Sequence, residues 1–357
     1  MLDQSGLPAC RTRLYSPPSL SPVNIQMNQA TIDVVGIGNA IVDVIAHADD
    51  RFLEREALVK GTMALIDADR AEALYHMMGP AIEASGGSTA NTMAGIASLG
   101  GQGAYIGKVR DDLLGEVFRH DLTAQGVRFD TPPATSGPGT ARCLILVTPD
   151  GQRTMNTYLG ACVELGPDDI DPDILGAAQV TYLEGYLFDP PLAQQAFYQA
   201  ATISHGAGRK VALSLSDPFC VERHRAAFRD LVAGHIDILF ANEAEICSLY
   251  ETTDFSAAAA AVRGHVAIAA LTRSAQGSLI LANGEAHQIA AAPVARVVDS
   301  TGAGDLYAAG FLYGLTRGLP LPICGEFGSL CAAEIISHVG ARPERSLSEL
   351  VAEAKGL

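Results

Sequence analysis

The segment DSTGAGD, Asp299 to Asp305, carries the strongest chemical signal in the chain. Gly302, Ala303 and Gly304 are small enough to let the backbone turn sharply and aim consecutive amide N–H groups at one point. The helix-forming LYAAGFLYGL behind them adds the positive end of its dipole. That combination is an anion hole with a carboxylate beside it. Asp305 could accept a hydroxyl proton there while the amides stabilise charge on a transferring phosphoryl group. The competing reading makes Asp305 a helix cap and the glycines mere turn-formers. A helix N-terminus should lower the pKa of Asp305, and a loose transition state, in which the proton leaves late, tolerates so weak a base.

A second glycine motif, SGGSTAN from Ser85 to Asn91, leads into a short helical stretch closed by Gly100 and Gly101. Gly86 and Gly87 permit close approach of a flat or ring-shaped ligand, and Ser88 and Asn91 bring hydrogen-bonding groups to the same edge. Asn39 and Asp43, four residues apart near the first strand, offer an amide and a carboxylate; a carboxylate accepting two neighbouring hydroxyls holds a ribose or sugar. Asn242 and Glu245 in NEAE could hold hydrated Mg²⁺ against phosphates or simply cap a helix. TRSAQG, with Thr272, Ser274 and Gly277, lies at the next strand end and suits a nucleotide phosphate. Arg153 follows a hairpin turn, from which its guanidinium could fold onto the transferring group.

These residues fall where strands end. IDVVGIGNAIVD, from Ile32, and the later runs QVTYLEG, KVALSLSD, IDILFAN and VAIAALT are short apolar stretches separated by helix-compatible segments. Such alternation predicts an α/β fold, a doubly wound and mostly parallel sheet flanked by helices, with ligands beyond the carboxyl ends of the strands. Two insertions, 44–66 and 127–159, break the alternation and read as a small β-sheet lid. Within the second, CLILVTP and RTMNTYL flank Asp150 and Gly151, a signal for a tight two-residue hairpin turn. The α/β core then comprises 31–43, 67–126 and 160–357, preceded by a Pro-rich tail, 1–30, expected to be disordered, with Met27 as a candidate alternative start.

With 357 residues, 48% hydrophobic and 18% charged, the chain is long enough for an ample core. Its 24 basic and 40 acidic residues leave a net charge of −16, which disfavours nucleic acid and anionic membranes as partners. Seven cysteines without a C-x-x-C spacing read as reduced thiols in a cytoplasmic protein. No signal-peptide-like or membrane-spanning apolar run is visible. Rival motifs fail on residue identity: GIGNAI has Ile41 in place of the third glycine of a dinucleotide fingerprint, GGSTA has Ala90 in place of the last glycine of a serine-hydrolase elbow, and the phosphate-loop pattern is broken at Gln102 and Val109.

Taken in order, GNAIVD, SGGSTAN, GKVRDD with Gly115, GQRT, NEAE, TRSAQG and DSTGAGD resemble the ribokinase, or PfkB, family of carbohydrate and nucleoside kinases, from about Ile32 to Ala341. The resemblance implies an ATP- and Mg²⁺-dependent phosphotransferase. Asp305 would be its base; Gly302, Ala303 and Gly304 its anion hole; Asn39, Asp43, Gly86, Gly87, Ser88 and Asn91 its acceptor contacts. Asn242, Thr272, Ser274, Gly277 and Thr301 would lie on the ATP side, with Glu245 reaching Mg²⁺ through water. Ser274 stands where the family usually has glycine, which puts the shape of that loop in question. Asp299, Thr301, Gly340 and Ala341 are candidate ligands for a potassium-like ion (K+). GNAIVD, SGGSTAN and CAAEIISHVGARP are most similar to bacterial adenosine kinases, implying the adenosine 5′-hydroxyl as acceptor, with Leu159, Tyr186 and Phe188 as candidate apolar walls. A ribokinase- or fructokinase-like sugar kinase and a non-catalytic binding regulator are the alternatives, and a monomer or a lid-mediated homodimer the expected assembly.

Overall fold

The computed structural model describes residues 30–355. The expectations for the tail, Met27 included, lie outside the described residues except for Ala30. Among the described residues, fourteen strands form two sheets. They are β1 (Ile32–Ile37), β2 (Ile41–His47), β3 (Met63–Leu65), β4 (Ala81–Gly86), β5 (Gly103–Ile106), β6 (Arg128–Phe129), β7 (Ala141–Val147), β8 (Arg153–Tyr158), β9 (Ala178–Glu184), β10 (Lys210–Ser214), β11 (Ile238–Asn242), β12 (Ile268–Thr272), β13 (Ser278–Ala282) and β14 (Glu285–Ile289).

The large sheet runs β14-β13-β12-β11-β10-β9-β1-β5-β6. Its strands run parallel except β13, near one edge, which pairs antiparallel with both β12 and β14. Helices cover both faces, as buried strands of this kind require. Val35, Leu183 and Leu213 pack beneath Phe197 and Phe228 on one side, and Val34, Tyr105 and Phe240 beneath Phe311 and Met93 on the other. The chain winds outward from β1 in both directions, so the switch point lies between β1 and β9, where a ligand crevice is expected in such sheets. No helix among the described residues is long and apolar enough to cross a membrane.

The small sheet, β3-β8-β7-β2-β4, departs from the boundaries read off the sequence. IDVVGIGNAIVD is not one strand. It breaks at Gly38–Ala40, β1 staying in the large sheet while β2 enters the small one, so Asp43 belongs to the small sheet and not to the core. Ala81–Gly86, assigned to the core, also pairs with β2, whereas Arg128–Phe129, assigned to the lid, pairs with β5 in the large sheet. An apolar run shows that a segment is a strand, but not which edge it joins. The β7–β8 connection is likewise not a two-residue turn: Thr148 and Gln152 bond around a three-residue loop, Pro149 to Gly151, with Gly151 at φ +81°.

One close approach sets the position of the helix Ser88–Ser98. A Cβ on Gly36 of β1 would lie 2.3 Å from Thr89 Cγ2, so the helix rests directly on the strand backbone. Gly36→Ala is expected to lower unfolding free energy by about 1–3 kcal/mol through overpacking. Urea denaturation checks this, and an unchanged midpoint would show that the helix can move aside.

Candidate active site

Asp305 occupies the first turn of the helix Ala303–Thr316, whose N-cap, Gly302, has φ +78°. Gly302 is in the left-handed region that glycine tolerates, and the first-turn amides have no acceptor within the helix. Gly304 has no such requirement: a Cβ there would meet nothing within 4 Å. The Asp305 carboxylate accepts from Ser88 Oγ at 2.6 Å and from Asn91 Nδ2 at 2.9 Å. The two glycine motifs therefore meet at one side chain. Burial raises the Asp305 carboxyl above the usual aspartate range, against the pull of those two hydrogen bonds and of the Arg342 charge. The expectation of a lowered pKa at a helix N-terminus is reversed because loss of hydration outweighs the favourable contacts.

The acceptor-side residues assemble around the same point. Asn39 sits in the turn between β1 and β2, and Asp43 on β2 beside Gly86 of β4; a Cβ on Gly86 would lie 2.4 Å from the Asp43 carboxyl carbon. At Gly87, φ is +87° and a Cβ would meet Asn39 O at 2.3 Å, so both glycines are required by close approach. Burial lifts Asp43 to about 6, against the opposing charges of Arg153 and Arg342 and with the help of Asp305.

Arg153, at the start of β8, does not hang free. Its side chain is 7% exposed and Nη1 pairs with Asp299, the first residue of DSTGAGD. Asp299 also accepts from Thr301 N and Oγ1 and from Gly340 N. Burial works to raise Asp299, but the donors from Gly340, Thr301 and Arg153 together lower it.

Of the ATP-side candidates, Thr301 is bonded to Asp299 in this cluster, while Asn242, Thr272, Ser274 and Gly277 lie at or just beyond the ends of β11 and β12. Asn242 and Glu245 form a reciprocal capping box: Glu245 accepts from Asn242 N at 2.9 Å and Nδ2 at 2.6 Å, and Asn242 Oδ1 accepts from Glu245 N. Burial raises Glu245 to about 7, against the Asn242 backbone bond, with Asp217 and Asp305 adding repulsion. After Thr272, Ser274 adopts φ +48°, so the serine takes the left-handed conformation that its glycine-like position requires. Gly277, at φ +79°, leaves no room for a Cβ, which would lie 1.9 Å from Ile289 O.

Two residues that motif reading missed hold the cluster together. Glu184, closing β9, accepts from Asn39 N and Nδ2 and from Thr89 N, tying the switch point to the helix that carries Ser88 and Asn91. Its signal was an acid closing the apolar run QVTYLEG. Burial raises it to about 7, against the bonds from Thr89 and Asn39. Arg342, in the GARP turn, donates to Ala90 O and to Ser85 O and Oγ. Of the candidate apolar walls, Phe188 is excluded: it is fully buried and stacked on Phe228 in the core, whereas Tyr186 is 40% exposed.

The family described as pfkB family carbohydrate kinase matches residues 79–347. The chain belongs to that family. Adenosine kinase from Sinorhizobium meliloti is 53% identical, with TM-score 0.85 over 91% of this chain and all of that one. A probable sugar kinase from Rhizobium etli is 51% identical, with TM-score 0.85 over 92% of this chain and 99% of that one. Adenosine kinase from Saccharomyces cerevisiae is 25% identical over 335 residues, 87% of this chain and 96% of that protein. The protein is thus a kinase of the carbohydrate and nucleoside type, built on the ribokinase-like α/β fold.

Glu184 generates a pH prediction. A carboxyl raised from 4.5 to about 7 on folding binds its proton more tightly in the native state, so its contribution to stability is largest below 4.5 and falls as pH rises to 7. Glu184→Gln is expected to reduce the steepness of that fall by up to about 1.4 kcal/mol per pH unit, read by urea unfolding at several pH values. Parallel curves for the two proteins would contradict it.

Proposed function

We propose that the enzyme transfers the γ-phosphate of ATP to the 5′-hydroxyl of adenosine, giving AMP and ADP. The observation that carries this reading is the Asp305 carboxylate fixed by Ser88 and Asn91 at the start of a helix whose first turn is Gly302–Ala303–Gly304. Asp305 accepts the 5′-hydroxyl proton, the freed oxygen bonds to the γ-phosphorus as the bond to ADP breaks, and the first-turn amides take up charge on the transferring group. A carboxyl raised by burial is a better base than an ordinary aspartate.

Asp43 and Asn39 receive the ribose hydroxyls, and the buried Asn91 Oδ1, which has no partner among the described residues, offers a further acceptor. Strand alternation and register put Asp43, Cys143, Ile45, Ile145, Met155 and Arg153 on one face of the small sheet. An apolar strip beside a ribose-binding carboxylate suits a purine better than a bare sugar. That strip, and the similarity to adenosine kinases, support adenosine over ribose or fructose.

On the nucleotide side, Thr272, Ser274, Gly277, Asn242 and Thr301 line the phosphates. Mg²⁺ fits Glu245: the carboxylate is buried, is pressed by the charges of Asp217 and Asp305, and keeps lone pairs free of its capping bonds. When bound, Mg²⁺ neutralises charge on the β- and γ-phosphates. A potassium-like ion does not fit the Asp299 side chain, whose two oxygens already accept from Thr301, Gly340 and Arg153. Asp299 instead anchors Arg153 beside the anion hole.

ADP release with adenosine, inosine, ribose and fructose as acceptors tests the substrate, with adenosine expected to turn over fastest. Asp305→Asn is expected to lower kcat by about 10²- to 10⁴-fold. Unchanged turnover would remove Asp305 as base, and tight adenosine binding without turnover in the wild type would favour a regulator.

A further inference from the structure

Arg342 lies in the loop after the helix Leu321–Ile335 and has no part in the chemistry above. Its Nη1 donates to Ala90 O at 2.6 Å, and its Nη2 to Ser85 O at 2.8 Å and Ser85 Oγ at 2.7 Å. One planar fork therefore grips both ends of the turn that presents Ser88. From the other side, Asp121 accepts from Ser85 N and Oγ. The same loop touches the anion hole just upstream: Gly340 N donates to Asp299, and Ala341 lies 3.0 Å from where a Gly302 Cβ would be. Arg342 is the short mechanical link between the segment holding Ser88 and Asn91 and the segment holding Asp305.

Its electrostatic position is unusual. Nε is buried without a partner, and the guanidinium makes no ion pair among the described residues. The carboxylates its field reaches are Asp121, Asp43 and Asp305, the last two being the acceptor-side acids. A buried cation without a direct counter-ion is costly, and in a poorly hydrated setting its field carries farther than it would in water.

We propose that Arg342 is a positioning residue for phosphoryl transfer: its fork fixes the Ser85–Asn91 segment, so that Ser88 and Asn91 orient Asp305, and its unpaired charge faces Asp305 and Asp43. This rests on Asp305 being the base. Asp305 faces Ser88 and Asn91 on the neighbouring helix, Asp43 on β2, Arg342 on the loop, the hydroxyls of Tyr182 and Tyr186 and the carboxyl of Glu245, while Arg153 acts on Asp43. Among these, Arg342 is the cation that lowers both acids. Removing its charge makes both harder to ionise, so the acid limb of the rate profile moves to higher pH.

The test is kcat/KM against pH, with the best acceptor of the panel, for wild type, Arg342→Gln, Arg342→Lys and Asp305→Asn. Arg342→Gln retains a hydrogen-bonding amide without charge; its acid limb is expected to rise by about one pH unit, with kcat near neutrality down by about tenfold or more. Arg342→Lys keeps the charge but not the fork, so its limb should stay within a few tenths of a unit of wild type while kcat falls. A glutamine profile parallel to wild type, or a lysine variant shifted as far as the glutamine variant, overturns the proposal. Should the glutamine variant fail to fold, a lysine limb raised by about one pH unit overturns the proposal, and a limb within a few tenths of a unit of wild type with lowered kcat supports it. Turnover in Asp305→Asn equal to wild type removes the base reading itself; an inactive Asp305→Asn with a parallel Arg342→Gln profile removes only the role of Arg342.

Discussion

The pair of hydrogen bonds from Ser88 and Asn91 to Asp305 joins residues 217 and 214 positions apart in the chain, and the rest of the site is arranged around it. A short flexible side chain gains little orientation from its own backbone, so the direction of its lone pairs must be set by partners that are themselves immobile. Ser88 and Asn91 meet that condition because their helix rests on Gly36 of β1, is tied by Thr89 N to Glu184, and is gripped at its entry by Arg342. Each support comes from a different part of the chain: the first strand, the strand across the switch point, and the C-terminal loop.

The supports carry charge as well as geometry. Glu184, Glu245, Asp43 and Asp305 are all raised by burial, so the cleft is a place where anions are poorly hydrated. A site that receives phosphate groups cannot also hold several bare carboxylates without opposing charge. Arg153 and Arg342 supply part of it, one from the small sheet and one from the large-sheet body. Arg153 sits on Asp299, so the small sheet is fastened to the DSTGAGD turn at the point where the anion hole begins. That one ion pair thereby joins the small sheet to the turn that leads into the Asp305 helix.

The parts of the site legible in sequence were those fixed by backbone demands. DSTGAGD and SGGSTAN contain glycines that no other residue replaces without collision or strain, as Gly87 and Gly302 show, and such demands leave a local pattern. Alternating strands and helices likewise gave the parallel sheet, because burial on both faces dictates composition along each strand. The boundary of the small sheet was not legible: β2 continues the apolar run begun by β1, β4 (AIEASG) carries no apolar run of its own, and pairing partners alone assign the two strands to the small sheet. Glu184 and Arg342 escaped for a different reason. Each acts through backbone groups of a distant segment, and a contact of that kind imposes no spacing on the residues around it.

The break at Gly38–Ala40 puts the proposed acceptor face and the proposed base on different sheets and elements. β1 ends in the rigid sheet at the switch point, and β2 starts a second sheet whose apolar face carries Asp43 and Arg153. Substitutions at its apolar positions, Ile45, Ile145 and Met155, would alter the proposed acceptor wall and leave the helix that bears Asp305 in place. The reverse does not hold, because Asn39 is bonded to Glu184 and Glu184 to Thr89. A change at the Ser88–Ser98 helix is felt at Asn39 through Glu184, and Asp43 and Arg153 couple the small sheet back to Asp305 and to Asp299. Variation in acceptor among kinases of this fold is therefore expected to concentrate on the small sheet, leaving the glycine turns and their braces as the fixed part of the machine.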